Sequence, residues 1–164
     1  RSPLGSWLGV EPTERNGEKY HSVDYVDYAL GKPSKEVILE SKREGITFEL
    51  PAGLQGRRSI DVSTLISNEP TKEALLQVLR YCQDRGVPVG VICNGHQLVA
   101  FYASRQDGVA PMEVRALAFS SLQEMLDDFG VLRSHLSRAG VAERTFQRVS
   151  PCSNLDPNQA RTLP

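Results

Sequence analysis

The stretch from Pro70 to Ser104 constrains the fold most. It holds one helix, one dense β-type run and its returning partner with almost no chain between them. Pro70 suits a first helical position and Gly86 the far cap. Ala74, Leu75, Val78, Leu79 and Cys82 recur at the spacing of a buried helical stripe, which predicts a helix over 70–85. VPVGVIC at 87–93 reads as a central strand, Asn94-Gly95 is a strong hairpin dipeptide, and QLVAFYAS at 97–104 returns beside it. A helix leading directly into such a pair places the chain among α/β folds.

Upstream, VDYVDYALGKPSKEVILESKR from Val23 to Arg43 reads as two further strands, at about 22–30 and about 36–43, with turn chemistry in Gly31-Lys32-Pro33-Ser34. GITFEL at 45–50 is expected as a third short strand, and PAGLQGRRS from Pro51 to Ser59 as a loop. MEVRALAF at 112–119 is expected to add an edge strand. From Ser120 the period becomes helical. Leu122, Met125, Leu126 and Phe129 are expected on one stripe closed by Gly130, and VLRSHLSRAG and VAERTFQRV as two more short helices. The expectation is therefore an α/β domain over 1–149 with a central mixed β-sheet flanked by helices. Within it, 1–21 is an irregular opening segment and 120–149 a helical C-terminal part, with a flexible tail or linker at 150–164.

At 164 residues, 40% of them hydrophobic and 24% charged, the chain fits one globular domain with a real core. No run of about 18 apolar residues appears, so no membrane association is expected. Cys82, Cys93 and Cys152 form no CxxC pair, and Cys82 and Cys93 fall within apolar patterns. Buried, reduced thiols in a cytoplasmic setting are the expectation. A net charge of −1 gives no global attraction to nucleic acid, although a local groove can still be basic. The chain opens on Arg1, and the expectation is that it begins inside a longer translated product.

Each of the two upstream strands carries acidic chemistry. Glu40 and Lys42 lie two residues apart in a strand, so they share a face, roughly 7 Å apart along it. If the strands pair as a hairpin, Asp27 can join them, whereas Asp24 faces the opposite way. Two carboxylates about 4 Å apart repel by about 4 kcal/mol at an effective dielectric near 20, so such a pair calls for a cation. Asp27, Glu40 and the Ser41 carbonyl are candidate ligands for Mg²⁺ or Mn²⁺. Lys42 is placed to orient or deprotonate an attacking water and to stabilise developing charge. Alternation alone fits equally well an exposed Glu40–Lys42 pair on an edge strand.

Asp27 followed by Glu40-Ser41-Lys42 resembles the D…(D/E)xK motif of the PD-(D/E)XK nuclease superfamily. QVLRY places Gln77 and Tyr81 where its RecB-like and type I restriction branches carry QxxxY. The segment VPVGVICNGHQLVAFY is similar to the strand-NG-strand that follows this motif in the N-terminal endonuclease domain of type I restriction motor subunits. The resemblance runs from about Val23 to Tyr102, roughly half the chain. It implies a restriction-endonuclease-like core and a Mg²⁺-dependent endonuclease acting on DNA within a bacterial restriction or antiphage defence protein. An ATP-driven motor or recognition module would lie in the same or a partner chain. It also implies metal ligation by Asp27 and Glu40, catalysis by Lys42, and for Gln77 and Tyr81 either support of the site or contact with the nucleic-acid backbone. Arg43, Arg57 and Arg58 are candidates to line a phosphate groove. Arg133, Arg138, Arg144 and Arg148 read first as a solvated helical face. Members of the superfamily usually carry a helix before the first strand, and nothing before Val23 reads as one, although Glu11, Glu14 and Glu18 are available. This departure keeps a non-catalytic nucleic-acid-binding or scaffolding module as the rival expectation. His21, His96 and His135 share no metal-ligand spacing. No phosphate-cradling GxxxxGK[ST] or GxGxxG is present.

Overall fold

In a computed structural model, residues 26–31, 34–50, 59–104, 110, 113 and 115–146 are described. Six strands form one mixed sheet: β1 (Tyr28–Leu30), β2 (Val37–Ser41), β3 (Ser59–Asp61), β4 (Val89–Cys93), β5 (Leu98–Tyr102) and β6 (Arg115–Phe119). Their spatial order is β1-β2-β4-β5-β6-β3. Among the described strands only β2 and β4 pair in parallel, with Val37 opposite Val89 and Ser41 opposite Cys93. The other four pairings are antiparallel.

Parallel strands need a crossover, and helices covering both faces turn such strands into near-continuous apolar runs. VILES and VGVIC have that character, and every residue of β4 is buried. On one face lies the long helix α2 (Glu69–Arg85), packed on β2 and β4. Its Ala74, Leu75, Val78, Leu79 and Cys82 meet Ile38, Ile92, Val99, Phe101, Ala116 and Ala118. The opposite face carries α3 (Leu122–Asp127), α4 (Phe129–Leu136) and α5 (Arg138–Ala142). There Met125, Leu132, Leu136 and Val141 cover Val37, Leu39, Val89, Val91, Leu98, Leu117 and Phe119. The fold is α/β, a central mixed sheet flanked by helices, as expected.

The local signals of α2 act together. The Asn68 side chain accepts from the Thr71 N–H at 3.0 Å, which moves the start one residue ahead of Pro70. Gly86 closes the helix with φ 64°, in the left-handed region that an Ala would enter only under strain.

Five expectations are corrected. GITFEL is not a strand. The Gln97 side chain accepts from the Phe48 N–H at 2.7 Å and donates to the Phe48 carbonyl at 2.9 Å, while Asn94 donates to the Ile46 carbonyl at 2.8 Å. The segment thus finds side-chain partners instead of a ladder, and its apolar residues still pack on the α2-side core. The expected loop up to Ser59 gives way there to β3 and the short helix α1 (Val62–Leu65), the preceding residues 51–58 lying outside the described part. β6 is an interior strand, because β3 returns to pair with it and takes the edge. The hairpin turn centres one residue later than Asn94-Gly95. Asn94 donates to the Gln97 carbonyl, leaving Gly95 and His96 as the two turn residues, with Gly95 at φ 92°. Finally, the stripe from Leu122 breaks at Asp128, where α3 ends and α4 begins. Met125 is buried, but Leu122, Leu126 and Phe129 are 48%, 61% and 39% exposed, and Gly130 lies inside α4.

Among the described residues, no helix is long and apolar enough to cross a membrane. The opening segment through Tyr25, with Glu11, Glu14, Glu18, His21 and Asp24, and the tail with Arg148 and Cys152 lie outside the described part.

Candidate functional site

The carboxyl end of β2 gathers the chemistry. Ligands of open α/β sheets bind outside the carboxyl ends of the parallel strands, and Ser41 and Cys93 mark those ends together. Tyr28 pairs with Leu39 at the end of the antiparallel β1–β2 ladder, and Asp27, just before it, lies beside the end of β2. Asp27 Oδ2 accepts from the Ser41 N–H at 2.7 Å. Strand residues point N–H and C=O toward the same neighbour, so the Ser41 carbonyl is directed to the side where the Asp27 carboxylate sits.

Alternation places Glu40 on the face of Ile38, beneath α2. There Glu40 is 5% exposed, which rules out a solvated pair on an edge strand, and β2 is an interior strand in any case. Lys42 Nζ donates to Glu40 Oε1 at 2.8 Å and to Gln77 Oε1 at 2.6 Å. Gln77 Nε2 in turn donates to the Tyr81 hydroxyl at 2.9 Å. Gln77 and Tyr81 are one helical turn apart and face the same way. A single chain of contacts therefore joins the two sequence motifs, Glu40-x-Lys42 on the sheet and Gln77-xxx-Tyr81 on the helix. Tyr81 is 5% exposed, and that burial fits support of Gln77 and leaves almost no surface for a nucleic-acid contact.

Two features that the sequence reading missed set this geometry. Gly90 in β4 admits α2 closely, since a Cβ there would stand 2.6 Å from Val78 Cγ1 and 3.0 Å from Phe101 Cζ. Val78 is the neighbour of Gln77, so the close approach carries Gln77 to Lys42. The β4–β5 hairpin then grips the chain leaving the site. The Lys42 N–H donates to the Cys93 carbonyl at 2.7 Å, His96 Nε2 pairs with Glu44 Oε1 at 2.9 Å, and Asn94 and Gln97 hold residues 46 and 48. Two buried amides in a hairpin are the signal that would have shown it, because buried amides need partners.

The donor set suits a hard, oxygen-seeking cation. Mg²⁺ is usually held by one or two carboxylates together with waters and substrate phosphates, which Asp27, Glu40 and the Ser41 carbonyl can match. Among the described residues, no group of three or more His, Cys, Asp or Glu side chains is gathered to hold a metal. Arg43 is exposed just past Lys42, while Arg57 and Arg58 lie outside the described residues. Arg133 and Arg138 are exposed on α4 and α5, on the face of the sheet turned away from the site. Cys82 and Cys93 are buried free thiols. Burial pushes the Cys82 thiol up to about 12 and raises that of Cys93, against a weak opposing contact from the Gly95 N–H. Neither is poised as a nucleophile. His96 is taken by Glu44, and His135 stands edge-on to Phe146 at 5.3 Å between ring centres.

Compared with protein-family models, with curated proteins and with solved structures, the chain finds no match in any of the three.

Proposed function

We propose that this chain is a Mg²⁺-dependent endonuclease domain of the PD-(D/E)XK kind, hydrolysing DNA phosphodiester bonds within a bacterial restriction or antiphage defence system. The observation that carries the reading is the contact chain Glu40–Lys42–Gln77–Tyr81, set beside Asp27 at the carboxyl end of β2. A merely stabilising ion pair needs neither a second carboxylate on the adjacent strand nor an amide acceptor on the covering helix.

In this reading Asp27, Glu40 and the Ser41 carbonyl hold the cation. A magnesium ion held there would supply neutralisation of phosphate charge and a more acidic water. Lys42 donates hydrogen bonds toward the attacking water and the charge that builds on the phosphate. Gln77 fixes the amine, and Tyr81 fixes which way the Gln77 amide points. Arg43 and the basic pair Arg57-Arg58 are assigned to the DNA backbone, and a motor or recognition module to the same or a partner chain.

Plasmid cleavage in Mg²⁺ or Mn²⁺ tests the reading. Lys42→Ala and Asp27→Ala are each expected to lose at least about a hundredfold in rate, the scale of removing one electrostatic donor. Equal cutting by all three proteins would dispose of the site. A second reading is a nucleic-acid-binding or scaffolding module without catalysis. It is favoured by the internal engagement of both carboxylates, Asp27 with the Ser41 N–H and Glu40 with Lys42. Calorimetric titration with Mn²⁺ separates the two, since only the endonuclease is expected to bind in a manner that depends on Asp27 and Glu40.

A further inference from the structure

The Lys42 ammonium sits on the carboxylate that the proposed function assigns to the metal. It is 2.8 Å from Glu40 Oε1, and the two side chains are only 19% and 7% exposed. The same nitrogen is 2.6 Å from Gln77 Oε1, a neutral acceptor fixed from behind by its own donation to the Tyr81 hydroxyl. Gln77 thus offers the ammonium a second acceptor that carries no charge and holds a hard cation less strongly than a carboxylate does. An ammonium and a divalent cation on one poorly solvated carboxylate repel each other strongly, because little water screens them.

We propose that Lys42 and a divalent cation compete for Glu40, and that Gln77 is the positioning residue that retains the amine when the carboxylate turns to the cation. This inference rests on the endonuclease reading of the site and adds a thermodynamic coupling within it. Lys42 lowers the intrinsic affinity of the acids for metal and keeps the Glu40 charge compensated. Gln77 returns part of that affinity by giving the ammonium somewhere to go. The amine then stays beside the acids instead of swinging into solvent, as a flexible four-carbon stem otherwise would.

The competition gives two substitutions opposite signs, which a merely structural role does not. Titration of Mn²⁺ into the full chain by calorimetry, read as Kd, is the test. Lys42→Met removes the competing charge and is expected to bind on the order of tenfold more tightly than wild type. Gln77→Leu keeps the ammonium but removes its alternative acceptor, and is expected to bind severalfold more weakly. Lys72→Gln, which deletes an exposed charge paired with Glu69 on the first turn of α2, is the baseline for losing one positive charge anywhere. Binding by Lys42→Met no tighter than by Lys72→Gln overturns the competition, and an unchanged Kd in Gln77→Leu overturns the role of Gln77. Should Lys42→Met fail to fold, Gln77→Leu decides alone. If the wild-type chain shows no Mn²⁺ binding that Asp27→Ala abolishes, the endonuclease reading falls and this inference falls with it. Wild-type binding without the two opposite shifts removes this inference only.

Discussion

Burial, and the partner a buried group finds, decide what individual side chains can do here, and the partner separates Cys82 from Glu40, two buried ionisable groups on one side of the sheet. Cys82 lies in the apolar α2-side core, so burial acts against its thiolate and its proton is held to about 12 against an ordinary value of 9.0. An unfolded chain releases that proton from about pH 9. Across the window from there to about 12 the unfolded state binds fewer protons, and stability that is fully present below about pH 9 is lost as pH rises. The slope is on the order of 1 kcal/mol per pH unit. Urea midpoints compared at about pH 8 and about pH 10 are expected to fall more steeply for wild type than for Cys82→Ala, since tyrosine and lysine titrations are common to both. Equal slopes would mean that water reaches the thiol. Glu40 is just as buried, yet it has the Lys42 ammonium against it. Alternation along the strand made the shared face of Glu40 and Lys42 legible in the sequence. It could not say whether that face meets water or a helix, because exposure depends on α2, which begins only at Glu69.

Elements whose signals are local were readable, and those whose partners are remote were not. Helix α2 carries its cap, its stripe and its closing glycine in consecutive residues, and it forms within a residue of the expected bounds. The segment 45–50 looks like a strand because its residues favour one, but the buried amides of Asn94 and Gln97 take its backbone groups. β3 is three residues long and has meaning only against β6, so nothing near it in sequence announces it. The stripe from Leu122 assumed a continuous helix, which Asp128 interrupts. Gly90 was likewise silent, because a glycine inside an apolar run does not show what approaches it. Two effects oppose each other at Gly90→Ala. A less flexible unfolded chain favours the variant by about 0.4–1 kcal/mol. The added Cβ, 2.6 Å from the stiff Val78 side chain, forces helix and sheet apart at about 1–3 kcal/mol. The packing term is larger, so Gly90→Ala is expected to lower the denaturation midpoint, and a midpoint at or above that of wild type would show that α2 yields freely.

As a whole the molecule is a wall with different business on its two faces. The mixed sheet was legible from the apolar runs and the helix between them, but its strand order was not. The chain leaves β2, crosses to the far edge for β3, and returns through α2 to set β4 beside β2. That detour lays the long helix over the carboxyl ends of the parallel pair and leaves α3, α4 and α5 to cover the back. Glu40, Lys42 and the Gln77 amide all belong to the α2 side. The back layer therefore contributes stability without touching the chemistry, which can be measured at Met125. Its side chain is 3% exposed among the back-face residues, and truncation to Ala is expected to cost about 2–4 kcal/mol in a denaturant titration. Separated sites with no shared partners contribute additively. Met125→Ala is accordingly expected to leave the Kd for Mn²⁺ unchanged wherever the protein remains folded, whereas Gly90→Ala, on the site's own face, is expected to weaken it. A loss of metal affinity in step with stability at Met125 would mean that the sheet transmits strain from one layer to the other, and that the two faces work as one unit.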